Sequence, residues 1–139
     1  MSTTITVADR LREYFETRPA DAAPVVCAWL FGSVARGTGR PGSDVDVAVL
    51  MSRDPEPTLT GSGLVIADEL EGWLRRPVDV VLVNRAPVDL VHRVLRDGIL
   101  VYEADRPARV RFEVRVRKEW LDLKPMLDQY RRKPGAARG

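Results

Sequence analysis

Two apolar runs bracket a glycine-rich polar loop: Val25 to Phe31 leads up to Gly32-Ser33, and a second run opens with Asp44-Val45-Asp46-Val47. This pattern dictates strand, loop, strand, because successive strand side chains alternate between faces and residues two apart share one. Asp44 and Asp46 are thereby predicted to project together, while Val45, Val47 and Val49 pack into a core on the other face. Paired carboxylates repel unless a cation or a proton intervenes, and hard divalent ions such as Mg²⁺ take oxygen ligands. Gly32 permits close approach of a backbone or a phosphate, Ser33 supplies a hydroxyl and an N–H, and Arg36 adds a fixed positive charge. A simple turn with solvated aspartates draws on the same residue types; the complete set between two apolar strands favours a site.

A chain of 139 residues has room for one core. Its composition is ordinary for a globular protein, with 45% hydrophobic and 30% charged residues. A net charge of +2 is too small to announce direct nucleic-acid binding. The single cysteine, Cys27, lies in an apolar run and reads as a small buried residue. With neither an apolar membrane span nor a basic-then-apolar leader pattern, the expected location is the cytoplasm, with no membrane partner.

Periodicity predicts a helix over Thr6 to about Arg18, with Val7, Leu11, Tyr14 and Phe15 on its inner face. Val25 to Phe31 reads as a buried central strand. Ser52 to Pro57 reads as a proline-broken loop, and a helix follows from about Thr60 to Leu74, its Asp68, Glu69 and Glu71 forming a solvated face. The strand Val78 to Val83 contains Asp79, a charge whose burial among β-branched residues would be costly unless paired or bound to a cation; it should face what Asp44 and Asp46 face. A helix over Pro87 to Asp97 ends at Gly98, and Ile99 to Tyr102 forms a short edge strand.

Residues 109–117 are ambiguous. Val110, Phe112, Val114 and Val116 alternate like a strand, whereas Phe112, Val116, Trp120, Leu123 and Leu127 form one helical face. Length and polar helix formers favour a helix from about Pro107 to Lys124. Residues 1–130 are read as one domain and the basic 131–139 as a disordered tail. The only histidine, His92, is separated from Arg85 by six residues, a spacing that resembles the ribonuclease motif of HEPN proteins; in a chain alternating strands and helices we read it as coincidence and the histidine as structural or solvated.

Gly32-Ser33-x-Ala35-Arg36-Gly37 followed by Ser43-Asp44-x-Asp46 resembles the signature of the polymerase-beta-type nucleotidyltransferases. Within that superfamily it is similar to the minimal nucleotidyltransferases, the MNT antitoxins encoded beside HEPN toxins. The resemblance covers roughly Val25 to Tyr102 and implies an α/β fold, a small mixed sheet flanked by helices. It implies that Asp44, Asp46 and Asp79 are catalytic and bind two Mg²⁺ ions, with Gly32, Ser33, Arg36 and Ser43 at the nucleotide. It also implies transfer of AMP from ATP to a tyrosine of a cognate HEPN toxin, within a hetero-oligomer. The readings kept beside it are a non-catalytic antitoxin that binds stoichiometrically, around Trp120 and Leu123, and a transferase acting on a small molecule such as an aminoglycoside.

Overall fold

The computed structural model describes residues 3–40, 42–55 and 61–132. Its elements, in chain order, are α1 (Thr3–Glu16), β1 (Val25–Phe31), α2 (Gly32–Ala35), β2 (Val45–Met51), α3 (Ser62–Leu74), β3 (Val78–Leu82), α4 (Val88–Asp97), β4 (Ile99–Glu103) and α5 (Arg106–Arg132). The strands form one sheet in the order β3-β2-β1-β4. β1 runs antiparallel to both β2 and β4, whereas β2 and β3 are parallel. That parallel pair needs a crossover, which α3 supplies.

Both faces of the sheet are covered, which explains why β1 and β2 are apolar nearly throughout. On one face Val45, Val47 and Val49 join Leu11 and Phe15 of α1 and Ile66 and Leu70 of α3. On the other, Trp29, Ala48 and Leu50 meet Val91 and Val94 of α4 and Phe112 and Val116 of α5. Cys27 is fully buried, and burial pushes its thiol up to about 12.

The ambiguous segment at 109–117 is helical. Phe112 and Val116 are buried and Trp120 is half-buried, while Val110 and Val114, the other phase of the apparent alternation, are exposed. Arg109 ties α5 to the sheet through Glu103 of β4 and Glu113 of its own helix. The helix continues through Pro125 to Arg132, past the expected end at Lys124, so Arg131 and Arg132 belong to α5 rather than to a tail. The remainder of the expected tail, the end of the expected 52–57 loop and the expected helix start at Thr60 lie outside the described residues. α1 starts earlier than expected, and α2, a short helix directly after β1, was not anticipated. His92 stacks on Trp120, ring centroids 4.2 Å apart, and among the described residues its Nδ1 has no hydrogen-bond partner.

Gly98 lets α4 end hard against β1. A Cβ there would stand 2.5 Å from the Val94 carbonyl oxygen and 3.2 Å from that of Leu30. Leu30 lies two residues before Gly32, so this packing fixes the strand end from which the polar loop departs.

Candidate active site

The loop between β1 and β2 turns immediately. Phe31 is extended at φ −136°, Gly32 takes φ +77°, and the single turn of α2 follows. Glycine is required at position 32 twice over. Its φ lies where L side chains are rarely found, and a Cβ would sit 2.1 Å from the Asp46 carboxylate Oδ2 and 3.0 Å from its Cγ. The Gly-Ser turn and the Asp46 carboxylate are thus in contact, as Phe31 pairing with Asp46 across the β1–β2 ladder requires.

Ser33 sits at the fold of the loop. Its carbonyl accepts from the N–H groups of Thr38 (3.0 Å) and Gly39 (3.1 Å), which brings the far side of the loop back over α2. Arg36 caps that turn with its N–H on the Gly32 carbonyl, and its side chain is exposed. The Ser43 hydroxyl accepts from the Arg40 N–H at 2.7 Å, so in this structure it closes the turn before Asp44.

β2 begins at Val45, which leaves Asp44 at the last loop position rather than within the strand, and exposed. Its backbone is nevertheless held on both sides. The Arg76 guanidinium donates from Nε (3.1 Å) and Nη2 (2.6 Å) to the Ser43 carbonyl, and the Val45 N–H donates to the Pro77 carbonyl at 2.9 Å. Arg76 went unrecognised in the sequence because arginine after a helix reads as a solvated end; its only signal is its place directly before Pro77 and β3.

Asp79 lies opposite Asp46 in the parallel β2–β3 register, so the two share a face at one end of the sheet. Burial argues differently here from the sequence expectation. β3 is an edge strand, Asp79 is exposed, and Val80, Val81 and Leu82 are only half-buried; its charge is therefore not a buried one. Glu71 likewise does more than face solvent, since it accepts the Val78 N–H at 3.1 Å. Glu69 accepts the Tyr14 hydroxyl at 2.7 Å.

The electrostatics identify Asp46 as the hub. Partial burial, then Asp79, then Asp44 hold its carboxyl above the usual range, and Arg36 only partly offsets them. A cluster of oxygen donors with uncompensated negative charge is suited to a hard divalent cation. Among the described residues no three His, Cys, Asp or Glu side chains close around a point that would hold a metal ion. Donor chemistry and charge, rather than a preformed cage, suit these carboxylates to a cation. Among the described residues no helix is long and apolar enough to cross a membrane.

Comparison with known proteins bears on the family and the fold. A solved toxin–antitoxin structure with AMP-PNP superposes with a TM-score of 0.66 at 21% identity, covering 88% of this chain and 96% of that one. An MNT antitoxin in complex with a tri-AMPylated HEPN toxin of Shewanella oneidensis gives 0.63 at 18% identity, covering 91% and 97%. At those identities the likeness is one of fold. A putative minimal nucleotidyltransferase is 32% identical, with a TM-score of 0.54, covering 71% of this chain and 95% of that one. No curated protein sequence matches the chain. Residues 10–107, which hold the Gly-Ser turn and all three aspartates, match the family described as Polymerase beta, Nucleotidyltransferase. The chain belongs to the polymerase-beta nucleotidyltransferase family, with a mixed four-stranded sheet and flanking helices related to those of the MNT antitoxins.

Proposed function

We propose that the chain transfers AMP from ATP to a hydroxyl of a protein partner, a tyrosine of a HEPN-type toxin, and thereby acts as an antitoxin. The observation that carries this reading is the packing of Gly32 against Asp46, with Asp79 opposite in register and Asp44 one residue before β2. It sets the Gly32-Ser33 turn against the carboxylates, an arrangement suited to a metal-bound triphosphate. Asp44, Asp46 and Asp79 would hold divalent cations, two Mg²⁺ ions by family resemblance, and bound there they would stabilise charge on the triphosphate and ease deprotonation of the acceptor.

The chain's own groups orient the reactants. Ser33 and loop N–H groups hold the β- and γ-phosphates, Arg36 supplies a counter-charge, and Ser43 lines the nucleotide side. Arg76 fixes the Ser43 carbonyl and with it the start of the carboxylate pair. The acceptor oxygen forms a bond to the α-phosphorus while the bond from that phosphorus to its bridging oxygen breaks. Pyrophosphate leaves with the electron pair, and the acceptor proton passes to solvent. An added AMP brings bulk and negative charge, which opposes RNA binding by a ribonuclease partner.

The test is intact mass spectrometry of a HEPN protein encoded beside this chain after incubation with the chain, ATP and Mg²⁺. A mass gain of adenylyl groups, absent with Asp44→Asn, supports the reading; an equal gain with that variant overturns the mechanism. Exposed Val110, Val114 and Leu121 along α5 favour one second reading, stoichiometric binding. It predicts that a variant with all three aspartates changed to asparagine neutralises the partner as well as the unaltered chain does.

A further inference from the structure

Backbone hydrogen bonds reveal which groups of β3 face outward. The Pro77 carbonyl accepts from Val45 and the Val83 N–H donates to Val49, each at 2.9 Å. Odd-numbered residues of β3 therefore aim at β2, and the alternation of a strand turns the N–H and C=O of Val78, Val80 and Leu82 to the outer edge. The Val78 N–H is taken by Glu71. Among the described residues, nothing pairs with the outward groups of Val80 and Leu82. Natural proteins commonly blunt such an edge with charge, proline, a bulge or a covering element; Val80-Val81-Leu82 carries no charge or proline, and the one charge of β3 is Asp79 near its start.

An open cleft of about 480 Å³ follows this edge, lined by Asp79, Val80 and Leu82 of β3, Leu64 and Ala67 of α3, and Arg85. Leu64 is 58% exposed. The cleft thus joins a carboxylate of the candidate site to a row of unpaired backbone groups and an apolar wall. An extended polypeptide matches that row along its length, backbone to backbone, at the strand's own repeat.

We infer that the free edge of β3 docks an extended segment of the acceptor protein by strand addition, in the cleft between β3 and α3, presenting the acceptor hydroxyl beside Asp79. This rests on the transfer reading above for the identity of the segment as acceptor. A strand added there lies about 4.8 Å from β3. Its residue opposite Asp79 points to the face that Asp79 shares with Asp46, so strand pairing alone delivers a side chain to the carboxylates. The apolar wall accepts the neighbouring side chains, which point the other way.

The test is amide hydrogen exchange by NMR on the full chain, with a blocked peptide of sequence threonine–valine–tyrosine–valine–threonine as probe, together with Mg²⁺ and AMP-PNP. The expected result is exchange slowed at least about tenfold at Val80 and Leu82, with Val81, already bonded inward, unchanged. Val80→Pro removes one outward N–H and leaves the inward ladder intact. It should lower transfer from ATP to the peptide at least about tenfold through KM, with Mg–AMP-PNP affinity unchanged. If Val80→Pro does not fold, the exchange measurement on the unaltered chain decides alone.

Protection at both amides without transfer upholds the docking edge and fails the transfer chemistry. Transfer without protection, or neither at millimolar peptide, overturns the docking edge. Protection without peptide, accompanied by a doubled mass in light scattering, overturns it in favour of pairing between two copies of this chain.

Discussion

Gly32→Ala separates the two demands made on that residue. The first is conformational: an alanine at φ +77° is strained by about 1–2 kcal/mol, a loss of roughly 4–8 °C in Tm for a domain of this size. The second is steric, because the new Cβ would stand 2.1 Å from Asp46 Oδ2. An ordinary contact needs about 3.5 Å, so the carboxylate must retreat by roughly 1 Å or more. That retreat relieves the clash but moves the carboxylate away from β1, toward the side of β2 on which Asp79 lies. It does not recover the ligand position. Disturbing a metal ligand's support costs about 10–100-fold in metal affinity, and we expect Mg–AMP-PNP affinity, measured by calorimetry, to fall at least about tenfold. Gly37→Ala is the matched control, with φ +75° and nothing within 4 Å of the added Cβ. It should show a similar fall in Tm with affinity within about threefold of the unaltered chain. Equal affinity losses in the two variants, or none in Gly32→Ala, would refute the contact argument.

Asp46→Asn removes like-charge repulsion and the burial of a carboxylate, so it should raise Tm at pH 7 without added metal while abolishing Mg²⁺-dependent transfer; a lower Tm would contradict the charge argument. Arg76→Met should cost about 1.5–3 kcal/mol in urea unfolding and slow transfer by displacing Ser43 and Asp44, with Arg76→Lys intermediate. Gly98→Ala meets backbone oxygen rather than a side chain and should destabilise by about 2 kcal/mol, read from the same unfolding curve. Tyr14 and Cys27 are both held up to about 12 in the fold, the tyrosine by burial and then by Glu69. The unfolded chain ionises these groups at lower pH, so stability should be intact below about pH 8 and fall progressively as pH rises from there to 12. Denaturation midpoints across that range check the sign, and Cys27 should resist thiol reagents in the folded chain at pH 8.

Most of the architecture was legible because it rests on local pattern. The apolar runs at 25–31 and 45–51 became the two central strands because both faces of the sheet are covered, and the helical spacing of Phe112, Val116 and Trp120 outweighed the alternation of Val110 and Val114. What escaped depends on partners remote in sequence. Asp79 looked like a buried charge because its run is apolar, but only strand order shows that β3 is an edge and Asp79 exposed. Arg76 acts on Ser43 across 33 positions, a contact that no local pattern encodes. Glu71 looked solvated until the Val78 N–H was found beside it. For the candidate site, the spacing of the motif already pointed to a cluster; the register pairing of Asp46 with Asp79 and the contact of Gly32 with Asp46 required the fold.

The most direct test of the central claim is anomalous diffraction from crystals of the chain grown with Mn²⁺ and AMP-PNP. We expect anomalous peaks among Asp44, Asp46 and Asp79, with the triphosphate lying against Ser33 and Arg36. Manganese bound elsewhere, or a nucleotide seated away from the Gly32-Ser33 turn, would contradict it.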